Sequence, residues 1–89
     1  MNAAQQELFD LALLRVLDAN RTRFGLGLAA VGHLTIEFGF PNPAADLLAD
    51  RIDYLASKGL VEEVLKHINK ANRAWRITAA GLDYVDQKG

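Results

Sequence analysis

Basic residues are concentrated in one stretch near the C-terminal end of the sequence, from Lys66 to Arg76. Lys66, Lys70, Arg73 and Arg76 lie in this stretch without an intervening acid, so its local charge is +4. Because lysine and arginine neutralise phosphates, four such charges would give a salt-dependent affinity for nucleic acid that varies little with base sequence. A charged loop of this kind is also often a solvated surface. The stretch therefore indicates a phosphate-binding loop, with a solvated loop as the alternative.

Acidic residues are concentrated earlier in the chain, at Asp46, Asp50 and Asp53. Their spacing of i, i+4 and i+7 places all three carboxylates on one face of a helix. Three carboxylates could bind a divalent cation loosely, but such sites usually take their oxygen ligands from a shaped loop or from several elements. A solvated acidic face is the better interpretation. With Arg51 as its only cation, the segment 43–57 carries a net charge of −2, which disfavours contact with phosphate.

The remaining reactive residues are too few or too scattered to indicate an enzyme. The sequence has no cysteine, no Gly-rich phosphate loop after a strand and no recognisable pairing of serine with histidine. His33 and Glu37 share a helix face but are too few for a metal site, so we interpret them as a surface pair. No cofactor and no metal are expected. Arg21 and Arg23 lie in a connector, where they are expected to have no acid nearby and could touch phosphate or be solvated.

The overall composition is typical of a small domain without a strong charge. The chain has 89 residues, a net charge of −1 and 51% hydrophobic residues, so we expect one domain over residues 1–89 that gains stability from oligomerisation. The pI near 6.0 means that any nucleic-acid binding must come from local charge. The longest mostly apolar run, 24–40, contains four glycines, and no signal-peptide pattern is found. We expect a cytoplasmic protein.

Two helices are expected in the first half of the chain. The first covers residues 3–19, which contain neither glycine nor proline. It is apolar nearly all round, which predicts either a well-buried core helix or a dimer interface on the extra face. The second helix covers 28–38. Gly32 lies in its middle and would permit another helix to approach closely, as in a helix-turn-helix pair.

A third helix and a strand pair are expected to follow. The helix begins near Pro43 with Asn42 as its N-cap and ends at residue 57 or 58, where Gly59 stops it. Strands over 60–66 and 74–78 form an antiparallel pair, with Trp75 and Ile77 on one face and Arg76 on the other.

The chain is expected to close with a last helix over 79–87, which Thr78 caps. The expected core residues are Leu8, Ala12, Val16, Val31, Leu34, Leu48, Ile52, Leu55, Leu60, Val64, Trp75, Ile77, Leu82 and Val85.

Two segments resemble winged helix-turn-helix regulators of the MarR, PadR and ArsR type. The helix from Leu48 to Lys58, followed by Gly59, Leu60 and Val61, resembles the recognition helix running into the first wing strand. The second wing strand and the helix after it are matched by Trp75, Arg76, Ile77, Thr78 and Gly81. The resemblance extends over about residues 8–86. It implies a mainly α (α+β) fold in the order α-α-α-β-β-α, with a two-stranded wing.

The resemblance also implies how such a domain would contact DNA. In this family the third helix enters the major groove, and the wing contacts phosphate or the minor groove. By position, the base-reading candidates are Asn42, Ala45, Asp46, Ala49 and Asp50. The wing candidates are Lys66, His67, Asn69, Lys70, Asn72, Arg73 and Arg76. A homodimer through the first helix and an origin in a bacterium or phage are expected.

Two functions follow from these patterns. The first is a small transcriptional regulator or DNA-associated accessory protein that holds the phosphate backbone with its wing, helped by Arg21 and Arg23. The alternative is a winged-helix interaction module, in which Asp46, Asp50 and Asp53 face a basic protein partner. The acidic third helix favours the alternative, and the basic wing favours DNA.

Overall fold

The computed structural model describes residues 2–21, 25–40, 43–64 and 73–88. Within these ranges the chain forms four α-helices and a small three-stranded antiparallel sheet, in agreement with the expected mainly helical class. The elements in chain order are α1 (Ala3–Ala19), β1 (Leu26–Gly27), α2 (Leu28–Leu34), a 3-10 helix (Thr35–Phe38), α3 (Ala45–Ser57), β2 (Val61–Val64), β3 (Ala74–Ile77) and α4 (Ala79–Lys88).

Helix α1 forms the centre of the core and has the predicted bounds. It starts with a capping box, in which the Gln5 backbone N–H donates to Asn2 Oδ1 at 2.8 Å and the Asn2 N–H donates to Gln5 Oε1 at 3.2 Å. Its buried residues are Phe9, Asp10, Ala12, Leu13, Leu14, Val16 and Leu17. The prediction that Leu8 belongs to the core is wrong, since Leu8 is 58% exposed while its neighbour Phe9 is completely buried.

Helix α2 is shorter than predicted. It ends at Leu34, and the chain continues as the 3-10 helix up to Phe38. The buried Thr35 hydroxyl donates to the Gly32 carbonyl oxygen at 2.6 Å, which satisfies this oxygen within the tightened turn. A Cβ atom on Gly32 would lie 3.0 Å from Leu48 Cδ2 of α3. The predicted close approach of a second helix at Gly32 is therefore confirmed.

Helix α3 begins two residues later than predicted. Its N-cap position is Ala44, which makes no side-chain capping hydrogen bond, and Asn42 lies outside the described residues. The helix end is as predicted. The N–H of Gly59 donates to the Ala56 carbonyl and that of Leu60 to the Leu55 carbonyl, both at 3.0 Å, with Gly59 at φ +75°. This is the Schellman arrangement that favours glycine.

The sheet contains one strand more than predicted. Its order is β1-β3-β2, and the central strand β3 pairs Trp75 with Leu26 on one side and with Glu63 on the other. Trp75 and Ile77 are buried and Arg76 is exposed, as the alternation predicted. The two strands that were expected to form a wing are thus part of a three-stranded sheet.

Thr78 links the end of β3 to both neighbouring elements. Its hydroxyl accepts the Gly81 N–H at 3.1 Å, which confirms the predicted cap of α4, and donates to the Gly59 carbonyl at 2.6 Å. A Cβ on Gly81 would overlap the Leu60 carbonyl oxygen. Only glycine at position 81 permits this close packing of α4 on the chain that leaves α3.

The core combines predicted and unpredicted residues. Of the predicted set, the buried members are Ala12, Val16, Val31, Leu48, Ile52, Leu55, Trp75 and Ile77. The half-buried members are Leu34, Leu60, Val64, Leu82 and Val85. The prediction omitted Phe9, Leu13, Leu14, Leu17 and Val61, all of which are buried. Among the described residues, no helix combines the length and apolar character needed to cross a membrane.

Candidate functional site

An open groove of about 830 Å³ lies where α2, α3 and β3 meet. Its α2 wall contains Ala29, Gly32 and His33, and its α3 wall contains Ala45 and Ala49. These residues recur at three- and four-residue intervals, so each set lies on one face of its helix. Ala29 and Gly32 of α2 and Ala45 and Ala49 of α3 are small, and they leave space between the two helices at the surface.

Buried apolar side chains and two charged residues complete the groove. Leu48 and Trp75 are 3% and 4% exposed and supply an apolar lining. Asp53 of α3 and Arg73, which precedes β3, lie at the groove as well. The Arg73 guanidinium lies 4.8 Å from the centroid of the Trp75 ring. The groove is therefore apolar inside and charged at the side where α3 approaches the sheet.

The exposed face of α3 carries only negative charge. Asp46, Asp50 and Asp53 are all exposed, which agrees with the predicted acidic face. The one cation of α3, Arg51, turns toward α1. It donates from Nε to Asp10 Oδ1 at 2.8 Å and from Nη2 to Asp10 Oδ2 at 2.5 Å. This hydrogen bond to Asp10 raises the pKa of Arg51 above its usual value.

The two arginines nearest β3 are held by acids from neighbouring elements. Arg73 donates to both Glu63 carboxylate oxygens, at 2.9 and 3.1 Å, and lies 3.7 Å from Asp53. The bond to Glu63 raises the pKa of Arg73. Arg76 pairs with Glu62, its cross-strand partner. The sequence count of +4 therefore overstates the free positive charge of this region, because β2 brings two acids beside β3.

The structure brings only some of the predicted site residues together. Ala45, Ala49 and Arg73 line the groove, whereas Arg21 and Arg76 are exposed and do not. The expectation that Arg21 has no acid nearby is wrong, since its Nε lies 3.3 Å from Asp18 Oδ1. The predicted residues outside the described part of the chain are Arg23, Asn42, Lys66, His67, Asn69, Lys70 and Asn72.

The contribution of α2 to the site was missed. Gly32 was interpreted as a site of close helix approach and His33 as half of a surface pair, and Ala29 was not singled out. The repeat of small residues on α2 and again on α3 was the available signal.

The described residues contain no obvious metal centre. Within the ranges that the structure describes, no three His, Asp or Glu side chains are grouped closely enough to hold a metal ion. Asp46, Asp50 and Asp53 extend along one helix, so they form an elongated negative surface. Such a surface can attract an extended row of positive charges.

Comparisons with known proteins provide no further assignment. No known protein family has a sequence pattern that matches this chain. No curated protein has significant sequence similarity to it. Function must therefore be inferred from the residues themselves.

Proposed function

We propose that this chain is a winged-helix interaction module that binds a basic protein partner through its third helix. The observation that carries the proposal is the charge of α3. Its exposed residues Asp46, Asp50 and Asp53 are acidic, and its only cation, Arg51, is paired with Asp10 toward α1. A helix with this surface repels a phosphate backbone and attracts lysine and arginine side chains.

The order of the longer elements supports the winged-helix part of the proposal. Helices α1, α2 and α3 are followed by the antiparallel strands β2 and β3 and then by α4. In this interpretation β2 and β3 form the wing. Strand β1 adds a short third strand to it.

A helix that reads bases in the major groove of DNA would need different residues from those of α3. Base edges and phosphates are contacted mainly by Arg, Lys, Asn, Gln, Ser and Thr. An aspartate can accept a hydrogen bond from a cytosine amino group, but it is repelled by the phosphates on either side. The predicted positions on α3 offer Ala45 and Ala49, which donate nothing from their side chains, beside Asp46 and Asp50. This composition favours a protein partner.

DNA binding through the wing is the second candidate. Arg73 and Arg76 have side chains that are 46% and 51% exposed, and exposed ion pairs are worth only about 0–1 kcal/mol. Phosphate could therefore displace Glu62 and Glu63. The segment between β2 and β3 adds Lys66, His67 and Lys70 in sequence. On this proposal the protein is a small bacterial or phage regulator, or a DNA-associated accessory protein, in the cytoplasm.

Affinity purification from the native host distinguishes a specific partner from charge alone. Wild-type protein is compared with the double variant Asp46→Lys/Asp50→Lys and with the charge-matched control Asp83→Lys/Asp86→Lys, whose positions are exposed on α4. Quantitative mass spectrometry should find a protein that is retained by wild type and control but lost with the α3 variant. If no protein shows this pattern, the interaction proposal is wrong.

Fluorescence anisotropy with a random-sequence DNA duplex tests the second candidate. The titration is made at about 50 and about 200 mM salt. Micromolar binding that collapses at the higher salt, and that weakens with Lys70→Ala, would favour DNA contact by the wing. The absence of binding at the lower salt, with protein shown to be folded by circular dichroism, removes the DNA candidate.

A further inference from the structure

We propose that the groove between α2, α3 and β3 is the docking site for a cationic amphipathic helix of the partner. In this arrangement an apolar side chain of the partner helix enters the groove, and its lysines or arginines pair with the acidic face of α3. The inference rests on the proposed interaction function, and it names both the site and the chemistry of its ligand.

The interior of the groove is suited to an apolar side chain. Leu48 and Trp75 are almost fully buried, so they form a lining fixed by the core. Gly32 of α2 and Ala49 of α3 both line the groove, and neither carries a long side chain that would extend into it. An apolar side chain that enters here exchanges contact with water for contact with these carbon atoms.

The charges beside the groove indicate that the ligand also carries positive charge. Asp50 and Asp46 adjoin Ala49 and Ala45 of the groove wall, and Asp53 is part of the lining. From Asp46 to Asp53 the helix rises about 10 Å, which is two helical turns. A second helix alongside α3, with cations at matching intervals, can therefore pair with Asp46 and Asp50. It would share Asp53 with Arg73, which lies 3.7 Å from that carboxylate.

Lysine and arginine of the partner helix also suit the boundary between the apolar groove and the acidic face of α3. Their aliphatic stems can lie on Ala45 and Ala49 while the charged ends reach the carboxylates. An acidic helix or a nucleic-acid backbone would instead meet Asp46, Asp50 and Asp53 with like charge. The groove is accordingly selective for basic amphipathic helices.

A synthetic peptide provides a direct test. The probe is a fluorescein-labelled peptide of about 16 residues, long enough to form a helix, with leucine on one face and lysine on the other. One counterpart carries glutamate in place of lysine, and another carries serine in place of leucine. Anisotropy should detect binding of the first peptide only. Equal binding of the glutamate or the serine counterpart, or no binding of the lysine–leucine peptide, would overturn the inference.

Matched protein variants locate the binding. Asp46→Lys/Asp50→Lys and Ala49→Trp should each raise the Kd by at least about tenfold, whereas Asp83→Lys/Asp86→Lys and Ala80→Trp, on the exposed part of α4, should not. Circular dichroism checks that each variant is folded. If Ala49→Trp binds like wild type, or if the α4 controls weaken binding equally, the groove is not the site.

Backbone amide shifts in an NMR titration with the lysine–leucine peptide provide a measurement that does not require a variant. We expect the largest shifts at Gly32, Ala49 and Trp75, and shifts confined to α4 would contradict the inference. The affinity purification can separate the two proposals. A host protein that is captured by the Ala49→Trp variant but not by Asp46→Lys/Asp50→Lys would support the interaction function and would show that the groove is not the docking site.

Discussion

The guanidinium of Arg51 meets the carboxylate of Asp10 through two hydrogen bonds, which join α3 to α1 across 41 positions of sequence. The two side chains are only 17% and 9% exposed. The Arg51 guanidinium also lies 4.5 Å from the centroid of the Tyr54 ring. The pair orients α3 on the central helix and removes positive charge from the surface of α3. Its effects on stability and on surface charge can be measured separately.

Removing one member of this pair should be more harmful than removing both. Asp10→Asn leaves a largely buried arginine without its counter-charge, and we expect it to lower the free energy of unfolding by about 3 kcal/mol. The double variant Asp10→Leu/Arg51→Met should lie closer to wild type, because it leaves no unpaired charge. Urea denaturation followed by circular dichroism measures both values. A double variant less stable than Asp10→Asn would contradict this explanation.

Gly81 should tolerate no side chain. Its substitution Gly81→Ala would bring a methyl group into the Leu60 carbonyl oxygen and to within 2.6 Å of Ile77 Cγ1. We expect a loss of about 2–3 kcal/mol in unfolding free energy, although alanine favours helix more than glycine does. Thermal denaturation compares it with Ala80→Ser, an exposed position of the same helix that should change stability by less than about 0.5 kcal/mol. Wild-type stability in Gly81→Ala would refute the proposed close packing.

If DNA binding, the second candidate function, is correct, Glu62 and Glu63 should lower the affinity of the β2–β3 strand pair for DNA. The double variant Glu62→Gln/Glu63→Gln removes the carboxylates that pair with Arg76 and Arg73 and leaves only Asp53, at 3.7 Å, beside Arg73. Its affinity for random duplex DNA should increase, and the slope of log K against log salt should steepen by about 1–2. The control Glu37→Gln/Asp83→Asn removes two exposed acids from other elements. An equal increase in the control would show that net charge alone is responsible.

Leu8 should matter for association more than for folding. We propose that the exposed face of α1 around Leu8 forms a homodimer interface, since Leu8 is the most exposed large hydrophobic residue identified in the described chain. Leu8→Glu should convert a dimer to a monomer in small-angle scattering while the circular dichroism spectrum is unchanged. Ala80→Glu, at an exposed position of α4, serves as the charge-matched control. A monomeric wild type at high micromolar concentration would rule out the dimer.

The local features of the fold were predictable from the sequence. The uninterrupted run 3–19, the Gly59 stop and the Thr78 cap depend on residues within a few positions of one another, and all three are found. The Leu8 prediction failed because an all-round apolar helix does not indicate which side chains face the core. In the structure Phe9 faces inward and meets the Phe40 ring with centroids 5.2 Å apart.

Features that depend on distant residues were not predictable in the same way. Strand β1 has two residues, too few for a periodic pattern, and forms only because β3 is available to pair with it. The pairing of Arg73 with Glu63 depends on strand register, and the pairing of Arg51 with Asp10 depends on helix packing. The groove likewise needs α2, α3 and β3 to meet. A count of charges along the sequence therefore overestimated the free positive charge near β3 and did not indicate the groove.

The position of β3 between β1 and β2 has a mechanical consequence. Strand β1 leads directly into α2, and β2 follows the end of α3, so both walls of the groove are fastened to the same central strand. Separating the ends of the two walls next to the sheet requires that backbone hydrogen bonds to β3 are broken. The groove is thus preorganised at the sheet, and a ligand that fits it binds with little loss of conformational entropy in this part of the protein.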